Sequence, residues 1–350
     1  MQAWPEGTRW LAAHIFFNAG IYTPECDRVA LEVAEPFVRR CQAEGWIDGH
    51  FFIRYSEYGP HVRLRLHGEK EVLEGTVWPA LVEHVRALYP DVALERPEGQ
   101  QWRWDPRPEL EGAEALQVTH LAEIEYEPET DRYGGPEGVR MAERFFEHSS
   151  EAAYALLHKT SPKDRSSRLG KGLLTMVVLM HVFCRDRGHA VRLGRSYGEG
   201  YLRSVAREEQ GRSAWLSAFG SGYDQQAENL GAYVEEVWAR MDEGEELSEA
   251  LDRYRDGLIE VRGRFAELVE AGRLGREGEV FATWEHAVGA IVSSYMHMMN
   301  NRLGITIQEE SYLAYLSMRA LERSLEGEGG AEGGAPEGAA ASGAPAGEAS

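Results

Sequence analysis

Alternating apolar and polar positions mark the first part of the chain as sheet-forming, and a three-to-four spacing marks the rest as helical. In HVRLRL (61–66), Val62, Leu64 and Leu66 fall on one face of a strand, and His61, Arg63 and Arg65 fall on the other. WLAAHIFF (10–17) and HFFIRY (50–55) also read as strands, and the turn chemistry of SEYGP (56–60) predicts a hairpin between HFFIRY and HVRLRL. Helices are predicted over 24–45, bent or restarted near Pro36, and over 70–88, where Leu73, Val77, Leu81, Val85 and Leu88 keep helical spacing. LQVTHLAEIEY (116–126) predicts a fourth strand. This order of elements is that of a split βαβ, ferredoxin-like unit. After Pro136 the pattern turns helical, most clearly at Leu251, Tyr254, Leu258, Val261, Phe265 and Leu268. The expected fold class is therefore α+β: a ferredoxin-like, sheet-bearing half over 1–135 and a helical half over 136–325, together forming one domain. The acidic, Gly/Ala-rich stretch 326–350 lacks the apolar residues needed to offset ordering entropy and is expected to be a disordered tail.

Charge narrows the choice of ligand. With 58 Asp+Glu against 37 Lys+Arg and a formal net charge of −21, the chain is a poor match for a phosphate backbone, so no direct nucleic-acid partner is expected. Three cysteines without a CxxC, and no signal sequence after Met1, predict a cytoplasmic protein without disulfides. The most apolar run, LLTMVVLMHVF (173–183), is too short to span a bilayer and predicts a buried helix. No HExxH, paired-cysteine, phosphate-loop or G-x-S-x-G pattern occurs, so neither a metal nor a cofactor is expected. GRSYGEG (194–200) reads at most as a flexible glycine-rich turn.

Three segments could carry chemistry. The first is the hairpin FFIRYSEYGPHVRLRL, whose two arginines and histidine share a face without interleaved acids. It reads either as a protected sheet edge or, more sharply, as a site for a small anion gripped by guanidinium forks. The second is EIEYEPETDRYGGPEG (123–138), a strand-to-helix turn that could also present backbone N–H groups and Arg132 to an anion. The third is SSYMHMMNNRLG (293–304). It belongs to a helix with an apolar stripe (Phe281, Trp284, Val288, Ile291, Tyr295, Met298) and an uncharged polar side (His286, Ala290, Ser293, His297, Asn300, Asn301) expected to line a cavity. His297 there is either a hydrogen-bonded core residue or a proton carrier. Gly304 is expected to stop this helix, and Thr306 with Glu309 to form a capping box for the next.

In this order, FFIRY…GPHVRLRL, YEPETDRYGG followed by AERFFEHSS (142–150), and HMMNNRLG resemble the C-terminal elimination domain of class I lantibiotic dehydratases, found also as a free-standing protein in thiopeptide pathways. The resemblance runs from Trp10 to Arg323. One position departs from the family pattern: Ser149 stands before Ser150 where an acidic residue is common. The resemblance implies a lyase that removes glutamate from glutamylated Ser or Thr of a precursor peptide, leaving dehydroalanine or dehydrobutyrine. It implies a precursor-peptide partner and a separate glutamylating subunit. The family's catalytic residues carry over to Arg63, Arg65, Arg132 and His297, and His61, Arg54, Tyr133, Ser294, Asn301 and Arg302 in the same motifs are expected to bind substrate.

Two other functions fit parts of this pattern. A thiopeptide pyridine synthase of the same fold would join two dehydroalanines by a formal aza-[4+2] cycloaddition, but its substrate has no glutamyl carboxylate to explain the arginines. A non-catalytic escort would bind the precursor peptide as an added strand and leave its mass unchanged.

Overall fold

The computed structural model describes residues 6–95, 116–161 and 163–332. Strands β1 (Thr8–Phe17), β2 (Gly49–Tyr55), β3 (His61–Glu69), β4 (Ala93–Glu95) and β5 (Val118–Glu123) form one mixed sheet in the order β2-β3-β1-β5-β4. Neighbours pair antiparallel except β4, which runs parallel to β5. β4 is absent from the sequence expectation because so short a strand shows no alternation.

One face of the sheet carries Leu11, Ala13, Ile15 and Phe17 beside Val62, Leu64 and Leu66. It packs on α1 (residues 24–43) and α2 (residues 70–88), whose Val29, Val33, Phe37, Leu73, Val77, Leu81 and Val85 are fully buried. Near Pro36, where a bend or restart is expected, the helical backbone passes from a π-helical stretch into α-helix at Glu35. Each helix widens into a π-helical turn just before its proline, Val29–Ala34 ahead of Pro36 and Leu73–Val77 ahead of Pro79, which absorbs the hydrogen bond proline cannot donate.

The second half is helical: α3 (Pro136–His158), α4 (Arg165–Phe183), α5 (Arg187–Val205), α6 (Glu209–Asp224), α7 (Ala227–Asp242), α8 (Glu249–Glu270), α9 (residues 284–302) and α10 (Ile307–Glu332). GRSYGEG is not a turn; it lies inside α5. A Cβ on Gly198 would come within 3.3 Å of Ala314 Cβ, so glycine lets α5 and α10 pack closely, and tertiary contact outweighs its weak helix propensity. α10 runs to Glu332, so the start of the expected tail is helical, and residues 333–350 lie outside the described residues. The apolar run 173–183 is the end of α4, and among the described residues no helix is long and apolar enough to cross a membrane.

A buried clamp joins the two halves. Asn301 of α9 accepts from the Arg54 N–H and donates to the Arg54 C=O, both at 2.9 Å, so its carboxamide stands in for a neighbouring strand at the β2 edge. The Phe52 N–H donates to Ser150 Oγ of α3 at 3.1 Å. On the helix-covered side, Arg54 donates to Asp27 at 2.6 Å and to the Arg302 carbonyl at 2.9 and 3.1 Å. Arg168 donates to both Asp27 oxygens and to the Leu303 carbonyl at 2.8 Å, and Arg165 donates to the Gly304 carbonyl at 2.9 Å. Three guanidinium groups thus take the free carbonyls at the end of α9, where the helix dipole favours positive charge. Gly304 turns the chain there at φ +66°, and a Cβ would stand 2.8 Å from Arg54 Nη1. The Thr306/Glu309 capping box then opens α10: Glu309 accepts from the Thr306 N–H at 2.9 Å.

Burial alone would raise the Asp27 carboxyl, but the Arg168 hydrogen bonds and the Arg54 and Arg168 charges outweigh it and hold its pKa below the usual 3.8. That stabilisation is present above the unfolded pKa and is lost as pH falls through the lowered folded value. Asp27→Asn leaves two buried cations uncompensated and is expected to cost about 3–5 kcal/mol. Urea unfolding will measure this, and the deficit of the variant against wild type should shrink below about pH 4.

Candidate active site

The β1/β3 register sets the chemistry of the open sheet face. Trp10 lies opposite His67, Ala12 opposite Arg65, His14 opposite Arg63 and Phe16 opposite His61, all pointing away from α1 and α2. At one end of this face the side chains are aromatic: Trp10 and Phe51 meet at 5.0 Å, and Phe51 meets Phe146 of α3 at 5.1 Å. Towards the other end lie Arg65, Arg63, His14 and His61, with Phe16 packed on His61 at 4.4 Å.

Arg63 is held from two sides. Its guanidinium carbon lies 3.4 Å from the centre of the Tyr55 ring, and its Nε donates to His61 Nε2 at 3.1 Å. His61 Nδ1 lies 2.8 Å from the Gly59 carbonyl, which requires the proton on Nδ1 and leaves Nε2 as the acceptor for Arg63. Burial, with Arg63 and Arg65 nearby, pulls the His61 pKa down to about 3 despite that backbone bond. His61 is therefore a neutral prop for Arg63.

Arg65 differs from the other arginines described above. It is 5% exposed, its Nε and Nη1 have no hydrogen-bond partner, and its guanidinium carbon lies 5.5 Å from the Tyr126 ring centre. Burial and Arg63 pull its pKa down to about 9, which still leaves it charged at neutral pH. A buried cation with free N–H groups is costly unless an anion meets it.

Arg132 and His297 form the opposing group. Arg132 follows β5 in the loop before α3; its Nε donates to Ser294 Oγ at 3.1 Å and it pairs with Glu129 at 3.3 Å. Ser294 and His297 are one turn apart on α9. His297 Nδ1 lies 3.0 and 3.1 Å from the two oxygens of Glu310, so it donates there and leaves Nε2 available. Its ring stacks on Tyr201 of α5 at 5.2 Å, and the Tyr201 hydroxyl reaches Arg132. Burial raises the Glu310 carboxyl against the opposing pull of His297 and of Tyr197, which donates to it at 2.5 Å. Glu129 acts electrostatically on both Arg63 and Arg132 and so links the two groups.

The other expected substrate contacts divide. His61 and Ser294 lie within the two groups. Tyr133 is buried between Phe146 and Tyr295, its hydroxyl has no partner, and burial raises its pKa to about 12. Arg54 and Asn301 are taken up by the clamp. Arg302 is fully buried, donates to Ser150 Oγ at 2.9 Å and to the Met298 carbonyl at 2.8 Å, and lies over Phe146. The structure does not bring these last three to the Arg63/Arg65 cluster.

Four participants are missing from the sequence expectation. His14 was read only as a strand residue, and its meaning depends on facing Arg63. Tyr197 sits in the segment read as a turn and Tyr201 directly follows it, although their four-residue separation is a helical signal. Glu310 adjoins Glu309, and a second acid beside a capping residue carries no pattern of its own in the sequence.

An α+β domain with a cationic sheet face and an opposed histidine–carboxylate pair is the class that fold and site define. Residues 10–321 match the family described as Lantibiotic biosynthesis dehydratase C-term, and the chain belongs to it. It is 26% identical over 162 residues to the subtilin biosynthesis protein SpaB of Bacillus subtilis, a stretch that is 46% of this chain and 13% of SpaB. Among solved structures it resembles the pyridine synthase TbtD from thiomuracin biosynthesis (TM-score 0.66, 19% identity, 90% of this chain and 98% of that one). It also resembles TsrL (TM-score 0.59, 17% identity, covering 91% and 96%). The tRNA-dependent lantibiotic dehydratase MibB from Microbispora sp. 107891 matches with a TM-score of 0.52 and 19% identity over 94% of this chain and 29% of MibB. At these identities the structural likeness is one of fold.

The His61 pKa gives a direct check. By NMR, the His61 imidazole should show no titration from pH 8 down to pH 5; a midpoint near the ordinary 6.5 would show that it does not prop Arg63 as a neutral ring.

Proposed function

We propose that this chain catalyses β-elimination of glutamate from glutamylated Ser or Thr residues of a ribosomally made precursor peptide, working with a separate glutamylating subunit. The observation that carries this reading is Arg65, a buried guanidinium beside Arg63 whose Nε and Nη1 have no hydrogen-bond partner. A glutamyl ester brings a free carboxylate and leaves as an anion, which answers that deficit.

In the reaction the α-proton is removed, its electron pair forms the Cα=Cβ bond, the Cβ–O bond breaks, and glutamate departs with the bond electrons. Negative charge develops on the carbonyl next to Cα, and Arg132, fixed by Ser294, supplies preorganised N–H donors for it. His297, with Glu310 behind Nδ1 and Tyr201 against its ring, moves the proton through Nε2. Arg63 and Arg65 hold the glutamyl carboxylate.

A second reading has its own support: the match to the pyridine synthase spans 98% of that chain, whereas the dehydratase is matched over 29%. Incubation of the purified protein with a glutamylated peptide and, separately, with a bis-dehydroalanine peptide distinguishes the two. Loss of glutamic acid from the first supports elimination, macrocyclisation with release of the leader from the second supports pyridine synthesis, and binding without any mass change supports an escort. In the elimination assay, Arg63→Ala, Arg65→Ala, Arg132→Ala and His297→Ala are each expected to slow conversion by about 100-fold or more, so that glutamylated peptide accumulates. Ordinary conversion by all four variants would refute the assignment.

A further inference from the structure

GRSYGEG (194–200) and Glu310 lie outside the motifs that carry the resemblance, and the fold brings them together. Glu310 stands in the first turn of α10, where its N–H donates to the Thr306 carbonyl at 2.8 Å and the helix start favours a negative charge. Its Oε2 has two partners, His297 Nδ1 of α9 at 3.0 Å and the Tyr197 hydroxyl of α5 at 2.5 Å. Glu310 and Tyr197 are buried, whereas the His297 side chain is 21% exposed, so the imidazole is the member of the set that faces outward. Gly198 permits this arrangement: a Cβ there would stand 3.4 Å from the Ser311 carbonyl oxygen, so glycine lets α5 close on the first turns of α10. Arg165 pins the turn between α9 and α10, donating to the Gly304 carbonyl at 2.9 Å and to Glu309 at 2.6 Å, and so holds Glu310 against His297.

From this geometry we infer that Glu310 and Tyr197 are positioning residues that set the charge of His297 from opposite directions, Glu310 favouring the imidazolium and Tyr197 restraining it. The inference rests on the reading of His297 as the proton carrier. A carboxylate on Nδ1 steadies a proton arriving at Nε2, because its negative charge meets the positive charge that forms on the ring. A phenol that donates to the same oxygen draws on that negative charge and weakens its hold on the imidazole. Burial and Glu310 keep the Tyr197 phenol protonated, so it serves as a donor. The other polar groups facing the set are Tyr201 of α5, stacked on the ring, Arg132 at the Tyr201 hydroxyl, Tyr22 ahead of α1, and Glu309, which is taken up by Arg165. Arg132 disfavours a second positive charge, which leaves Glu310 as the acid in contact with the ring. A proton carrier must both take and release its proton, and the opposed pulls of Glu310 and Tyr197 serve that need.

NMR titration of the His297 imidazole in the full-length protein reads this tuning without substrate. Glu310→Gln keeps both bonds through the one oxygen that His297 and Tyr197 share, and should move the titration midpoint down by about one pH unit or more. Tyr197→Phe removes only the hydroxyl and should move the midpoint up by about half a unit. A merely structural role produces no opposed displacement, so unchanged midpoints in both variants, or shifts of the same sign, would overturn the inference. Should Glu310→Gln fail to fold, the upward shift in Tyr197→Phe decides alone, and its absence would overturn the inference. With glutamylated peptide, Glu310→Gln should lower kcat by about 10-fold to 100-fold and leave KM nearly unchanged. The limb of the pH–kcat profile set by His297 should move in step with the midpoint in each variant. Opposed midpoint shifts in variants that still convert glutamylated peptide at the wild-type rate would uphold the tuning and sink the reading of His297 as the proton carrier.

Discussion

The architecture depends on one buried carboxylate. Asp27 holds two guanidinium groups, from Arg54 on β2 and Arg168 on α4, and those same groups reach the terminal carbonyls of α9. Removing any member of such a set leaves charge or dipole in a medium that cannot solvate it. The clamp fixes where α9 ends, and because a helix is stiff it also fixes where His297 and Ser294 stand, about one and a half and two turns away.

Nearby arginines are used in opposite ways, and what decides the use is the presence of an acceptor. Arg54 and Arg168 have Asp27 and carbonyl oxygens, so their charge is spent inside the protein. Arg63 is held by a neutral imidazole and an aromatic ring, with Glu57 and Glu129 acting on it electrostatically, and Arg65 leaves two N–H groups unmet. An acidic protein that buries a cation without an acid beside it sustains an unfavourable desolvation term, which a ligand's negative charge can relieve. The same principle organises the opposing group, where Glu310 fixes the orientation of His297 instead of neutralising an arginine.

The motifs that carry the family resemblance therefore serve two purposes at once. In HMMNNRLG, His297 faces Tyr201 and Glu310, whereas Asn301 completes a sheet edge, Arg302 is packed in the core and Gly304 lets the chain turn against Arg54. In FFIRY, Arg54 belongs to the clamp, while Tyr55 supports Arg63. Residue type alone does not separate these duties, since an arginine that binds substrate and one that holds two helices together look alike in a sequence.

Periodicity by itself determined the four longer strands, both helices that cover the sheet, the helical second half and the sharing of one face by His61, Arg63 and Arg65, because these follow from local spacing of side chains along a regular backbone. The capping box at Thr306 and Glu309 was legible for the same reason. Tertiary structure alone decided the rest. The short strand β4, the helical state of GRSYGEG, the facing of His14 with Arg63, the pairing of Glu310 with His297 and the capture of Arg54 by Asp27 all arise from contacts between residues far apart in the chain. Local propensity is worth tenths of a kcal/mol per residue, whereas burial and charge pairing across elements are worth several, so wherever the two disagreed the long-range contact prevailed.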